Sequence, residues 1–388
     1  MKVFFMAIAK KFKRIGIVLA AVTVSTAVLI SCTSVSGLEG MIMTTGENKQ
    51  HIDGDKFVNT QTDYKPDFTT GLTIMKRFIT EKRNAPLPLA PIPVHELSNE
   101  KLTLQTEDMV YRLGHSSLLL KLSGQYVLID PIFSERASPV QWIGPKRFHQ
   151  PPLTPEQLPH LSSVVISHDH YDHLDEASIK ALADKTDFFV TPLRVGERII
   201  DWGIPREKVV QLDWWQSTVH QGIELVATPA QHFSGRGVFD SNKTLWASWV
   251  IRTDKTNVFY TGDTGYFSGF KEIGDKYGPF DITMVETGAY NELWAEIHMS
   301  PEQSVQTHID LKGKAMLPVH NGTFDLALHD WYEPFERCVE LAADRQIQLL
   351  TPEFGQGVRI KEPVADGYWW RNVLAAENDV LVASAGGE

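Results

Sequence analysis

Between Ser167 and His173 the chain reads Ser-His-Asp-His-Tyr-Asp-His, which puts His168, His170, Asp172 and His173 on one short stretch. Three imidazoles and a carboxylate crowded together would be desolvated beside one another for no return unless they share a cation. The block therefore predicts a dinuclear metal site, against the bland alternative of a polar surface loop. Downstream, His232 follows Val226-Ala-Thr-Pro-Ala-Gln, Asp263 sits in Tyr260-Thr-Gly-Asp-Thr-Gly, and His320 follows Met316-Leu-Pro-Val. Each stands at or just past a short apolar run that reads as a buried strand, so a sheet can present all of them along one edge. Imidazole and carboxylate donors without thiolate suit zinc or another borderline divalent metal and leave positions open for water and substrate.

With these residues the sequence resembles the metallo-β-lactamase superfamily of hydrolases, which implies an α/β fold, the four-layer αββα sandwich, holding two zinc ions. The resemblance implies that His168, His170 and His232 bind the first metal, that Asp172, His173 and His320 bind the second, and that Asp263 bridges them. Aspartate at 263, where true β-lactamases of the superfamily carry Cys or Ser, points to the phosphodiesterase, thioesterase and lactonase branches. Further blocks, Leu113-Gly-His-Ser-Ser-Leu, Ile129-Asp-Pro-Ile-Phe-Ser, Gly144-Pro-Lys-Arg-Phe, His298-Met-Ser-Pro-Glu-Gln and Val319-His-Asn-Gly-Thr-Phe, run in order over roughly residues 65 to 360. They resemble the phospholipases D that hydrolyse N-acylphosphatidylethanolamine, together with their bacterial relatives. That resemblance implies a phospholipid or other amphiphilic substrate, with Asp172 and Asp263 as the catalytic carboxylates. A lactone or thioester is the alternative bond, and a non-catalytic envelope lipoprotein the alternative class.

The first residues are readable on their own. Lys10, Lys11, Lys13 and Arg14 form a basic region, Ile15 to Ile30 an apolar stretch, and Leu29-Ile-Ser precedes Cys32. This pattern predicts a lipoprotein signal over residues 1–31, cleaved before Cys32, whose thiol is lipidated; an uncleaved transmembrane helix is the alternative. The expected location is the bacterial cell envelope, lipid-anchored in the outer membrane and facing the periplasm. Loss of the signal's five basic residues takes the net charge from −11 to −16, a balance that repels polyanions and disfavours nucleic acid as a partner. Cys338 is then left without an intramolecular partner and reads as a buried structural residue. The oligomeric state has no signature in the sequence.

Residues 32–64, polar and rich in small side chains, read as a tether. Residues 65–101 read as an N-terminal extension, 102–365 as the catalytic domain and 366–388 as a C-terminal tail. A helix is expected over 70–82, and an extended, proline-rich run over 84–93. Strands are expected at 109–113, 117–122, 126–129, 163–166, 188–190, 209–211, 223–227, 245–252, 257–260 and 282–285, with helices at 175–183, 195–200 and 269–277. Ser300-Pro-Glu-Gln is a helix start with a capping box.

Around the metal block several residues carry two readings. His298 faces the substrate phosphate or is structural; Lys146 and Arg147 meet lipid head groups or a solvated surface. Asp130 is a candidate acceptor for a ligand histidine, whereas His115 reads as structural. Trp142, Phe148, Trp214, Trp215 and Trp294 pack in the core or floor an acyl-chain groove.

Overall fold

A computed structural model describes residues 50–62, 64, 68–365 and 367–385. The expected signal, Cys32 and most of the tether lie outside the described residues.

A two-stranded hairpin, β1 (Ile52–Asp53) and β2 (Lys56–Phe57), comes first, followed by α1 (Phe68–Thr80) and α2 (Asn99–Leu104). Then come β3 (Met109–Arg112), β4 (Leu118–Leu122), β5 (Gln125–Ile129), β6 (Leu161–Val165), α3 (Glu176–Leu182), β7 (Thr186–Pro192), α4 (Val195–Asp201) and β8 (Val209–Leu212). The second half holds β9 (Ser217–His220), β10 (Ile223–Thr228), β11 (Ser248–Arg252), β12 (Asn257–Tyr260), α5 (Gly269–Tyr277), β13 (Phe280–Glu286), α6 (Pro301–Asp310) and β14 (Gly313–Val319). It closes with α7 (Glu333–Arg345), β15 (Gln348–Leu349), β16 (Gly357–Arg359) and α8 (Trp369–Ala385).

The strands form two seven-stranded sheets, ordered β16-β3-β4-β5-β6-β7-β8 and β15-β14-β13-β12-β11-β10-β9. Each is antiparallel at one end and parallel at the other; in the first sheet β5 to β8 run parallel, in the second β12 to β15. Alternation along the strands builds the layers. Leu118, Leu120 and Leu122 turn toward the second sheet and pack with Trp249, Ile251, Ile282 and Leu317. Leu119, on the opposite face of β4, packs with Val164 and with Ile179, Leu182 and Ile199 of α3 and α4. Val250, Phe259 and Val285 of the second sheet face Phe270, Ile273, Val305 and Cys338 of the helices on that side. Apolar side chains on both faces of a strand demand cover on both, and the result is the expected αββα sandwich.

Most expected elements are present within a residue or two. Ser300 caps α6 as its sequence predicts, its hydroxyl accepting from the Gln303 amide in a full capping box. Two assignments change. The polar composition of 32–64 reads as a tether, yet residues 50–62 are built into the body: Phe57 is buried in the inter-sheet core and its amide donates to the Asn242 carbonyl. Within the expected tail, Trp369 and Trp370 of α8 are buried against Phe335 and Phe354, so that helix packs on the body.

Candidate metal centre

The loops that leave β6, β10, β12 and β14 carry the polar residues. His168 to His173 follow β6, His232 follows β10, Asp263 follows β12 and His320 follows β14. This is where open α/β sheets place their sites, beyond the carboxyl ends of the strands.

Two clusters form there. In the first, His168 Nε2 and His232 Nε2 lie 2.9 and 3.2 Å from His170 Nδ1, and Asp263 Oδ2 is 3.8 and 3.9 Å from the same two nitrogens. In the second, His320 Nε2 lies 3.3 Å from Asp172 Oδ2 and 3.0 Å from Asp263 Oδ2, while His173 Nε2 lies 3.6 Å from Asp172 Oδ2 and 3.0 Å from Asp263 Oδ1. Donors held at zinc–nitrogen bond lengths around a tetrahedron sit about 3.3 Å apart, the spacing seen here. His173 Nε2 and Asp263 Oδ1 are buried and make no aligned hydrogen bond despite their closeness. Both aim at the interior of the cluster, so the residues fit a cation. All seven residues named from the sequence are thus brought together.

The outer contacts orient these side chains. Asp130, fully buried at the end of β5, lies 2.7 Å from His173 Nδ1 and accepts from the Ser167 amide and hydroxyl and from the Tyr260 phenol. The Ile297 carbonyl holds His232 through Nδ1. His115 is a buried residue beside the site, its Nε2 3.3 Å from Asp172 Oδ2 and its ring centroid 4.0 Å from that of His320. Gly288 has a steric role, since a Cβ there would stand 2.0 Å from the His320 carbonyl.

The charges are set by this packing. Burial, with neighbouring imidazoles added, pushes His168 and His232 well below the usual histidine range, and burial with the nearby His320 lowers His115 to about 3. His320 goes the other way: burial opposes its charge, yet Asp263 and Asp172 raise it to about 10. Burial acts against the Asp263 carboxylate, but His173 and His320 hold it well below the ordinary range. The cluster without metal is therefore a proton-sharing network, and a cation would displace protons from His173 and His320.

His298 stands at the rim of this centre, its ring 5.3 Å from His320 and 5.1 Å from His232 by centroid. Its Nδ1 is hydrogen-bonded to Glu286, a fully buried carboxylate that also accepts from the Thr264 amide. Glu286 is the residue that sequence reading misses; the only trace is an acid directly after the apolar pair Met284-Val285 at the end of β13. Its burial, with Asp263 nearby, raises its pKa despite the opposing His298.

The outcome is different for the two basic residues. Arg147 is buried, and its guanidinium donates to the carbonyls of Ser134, His149 and Ile132, so it braces a loop while lining, with Lys146, a cleft beside the metal pocket. Lys146 is exposed and paired with Glu135. Of the aromatics, Trp214 belongs to the inter-sheet core, Trp142 is exposed, Trp294 lines the metal pocket, and Phe148 borders a neighbouring cleft.

The metal pocket encloses about 250 Å³, with Ile74, Phe78, Phe233 and Leu326 on its apolar side. It adjoins a cleft of about 600 Å³, with Phe78 and Leu326 common to both.

Residues 125–321 match the family model described as a beta-lactamase superfamily domain. An uncharacterized protein of Mycobacterium tuberculosis is 41% identical over 302 residues, 77% of this chain and 79% of that one. The N-acyl-phosphatidylethanolamine-hydrolyzing phospholipase D 1 of Caenorhabditis elegans is 33% identical over 311 residues, 74% of this chain and 87% of that one. Among solved structures, a metallo hydrolase from Ignicoccus hospitalis superposes with a TM-score of 0.51 at 21% identity, covering 65% of this chain and 98% of the other. The fold, with its His/Asp clusters, implies divalent metal binding.

Proposed function

Because this chain belongs to the β-lactamase superfamily and has the metallo-hydrolase fold, we propose that it is a zinc-dependent phosphodiesterase of the phospholipase D type, acting on N-acylphosphatidylethanolamine or a related phospholipid. The observation that carries this reading is the placement of Asp263 between two imidazole clusters, Oδ1 toward His173 and Oδ2 toward His168, His232 and His320. His168, His170 and His232 would hold one zinc ion; Asp172, His173 and His320 a second; Asp263 would serve both. Bound there, the pair supplies a hydroxide near neutral pH and neutralises charge on a phosphoryl oxygen.

The protein's own residues do the rest. Asp130 and the Ile297 carbonyl fix two of the rings. Glu286 holds His298 so that its free nitrogen can meet a phosphate oxygen at the mouth of the pocket. Ile74, Phe78, Phe233 and Leu326 exclude water from one side, where acyl chains would lie. Hydrolysis adds water across the bond between phosphorus and the ethanolamine oxygen, giving phosphatidate and an N-acylethanolamine. The lipidated Cys32 would tether the enzyme to the envelope, beside its substrate.

Purified protein incubated with N-acylphosphatidylethanolamine should release N-acylethanolamine, as read by mass spectrometry, and a chelator should stop it. Faster turnover of an acyl-homoserine lactone or a thioester would overturn the phosphodiesterase reading. Radiolabelled palmitate incorporated by the wild type and lost in Cys32→Ala would support the tether; equal labelling would refute it.

A further inference from the structure

The helix that walls the metal pocket has a second, unpartnered face. Ile74 and Phe78 of α1 turn inward and line the pocket with His170, Asp172 and His298. Leu72, Met75 and Ile79 turn outward and are 45%, 38% and 59% exposed. Their spacing, three and then four residues, puts them on one stripe of the helix. Soluble surfaces scatter such side chains singly; three aligned on one helix beside a site mark a surface that meets something apolar.

Charge identifies the partner. The chain as a whole is acidic, yet α1 contains no Asp or Glu. Lys76 lies within the outward stripe and, among the described residues, forms no ion pair, whereas Arg77 is taken up by Glu81 and Glu292. An apolar stripe with a lysine in its midst is the pattern of a helix lying in a lipid interface: the aliphatic side chains enter the acyl boundary while the ammonium stays with anionic head groups. The same helix carries the wall of the catalytic pocket on its other side, so a membrane seated on the stripe would lie at the pocket's mouth.

We propose that the outward face of α1, through Leu72, Met75, Lys76 and Ile79, docks onto the surface of an anionic phospholipid bilayer and holds the metal pocket open toward it. The docking itself stands apart from the reaction assigned above; only its benefit to turnover rests on that assignment.

The test uses the full chain in vesicles of phosphatidylethanolamine and phosphatidylglycerol, with the photocrosslinker p-benzoylphenylalanine placed at position 75 or 79. Position 309, an exposed isoleucine on α6, is the control. Irradiation should attach phospholipid at 75 and 79 and not at 309, and Lys76→Glu should reduce the yield. Equal labelling at 309, no lipid adduct at 75 and 79, or adducts to protein there would overturn the proposal. In a second arm, the combined Leu72→Ser, Met75→Ser and Ile79→Ser variant should lose roughly tenfold in turnover of vesicle-borne substrate, from lost apolar burial, while hydrolysis of soluble bis(p-nitrophenyl) phosphate is unchanged. An equal fall on both substrates would contradict a docking role. If neither substrate is turned over by the wild type, the phosphodiesterase reading fails while the crosslinking result still decides the docking face.

Discussion

Asp263 faces both clusters, Oδ2 lying 3.8 and 3.9 Å from His168 and His232 and 3.0 Å from His320 while Oδ1 lies 3.0 Å from His173, so its loss cannot be absorbed by either one alone. Asp263→Ala is expected to abolish hydrolysis and reduce bound metal while far-ultraviolet circular dichroism stays unchanged; full turnover in a metal-replete variant would contradict its bridging role. Asp130 acts one step further out. Its carboxylate joins His173, Ser167 and Tyr260, so Asp130→Asn should weaken metal affinity roughly 10- to 100-fold, measured by competition with a chromogenic chelator. Glu286 touches no member of the seven directly but holds His298. Glu286→Gln should keep the metal content and lower kcat roughly tenfold or more, with a displaced pH–rate profile that a purely structural residue would not produce. The seven candidate ligands are legible in the sequence because they are polar residues at or just past the ends of apolar runs, a place with no packing reason for imidazole. Glu286 and Arg147 are not: one is a carboxylate inside a buried strand, the other a cation satisfied by backbone carbonyls of Ile132, Ser134 and His149, and only the folded chain brings those partners together.

At the level of elements, periodicity and capping locate the two sheets and their helices, while composition misleads at both ends. Residues 50–62 look like linker because their polar side chains form no apolar run. Their order comes from contacts far along the chain: Phe57 fills the gap between sheets, and Asn59 exchanges hydrogen bonds with the backbone of His232. Phe57→Ala should therefore cost about 3 kcal/mol of unfolding free energy, as buried phenylalanines generally do; urea titration followed by tryptophan fluorescence would measure it, and a change near zero would restore the tether reading for this stretch. The hydrogen bonds of Asn59 explain why that segment belongs to the site as well as to the core, since they fix the loop that presents His232. The same physics accounts for α8, where two tryptophans in a terminal sequence find their cover only once α7 is in place.

Across the whole molecule, buried histidines couple stability to pH in one direction. His149, stacked on Phe354 and hydrogen-bonded to Thr323 and the Gln150 carbonyl, is lowered by burial to about 3, and His308 is lowered by burial to about 4. Neither belongs to the seven. Both are neutral in the folded protein, whereas in the unfolded chain they take up protons below about 6.5. The unfolded state then binds more protons, so stability falls with falling pH by about 1.4 kcal/mol per unit for each group until the folded form is protonated too. His168 and His232 act in the same sense. His173 and His320, whose pKa values are raised, contribute stability that is fully present below the unfolded value and is lost as pH climbs from there to about 10 for His320; below about 6.5 they do not oppose the trend. Asp172 and Asp263 are lowered, so their contribution is lost only as pH falls through the carboxylate range. Chelated protein should accordingly lose stability steadily as pH drops from 6.5 toward 4, and His308→Gln should flatten that slope by one group's share. Denaturant midpoints measured across this range would check it, and a flat profile would mean that these histidines reach water in the folded state.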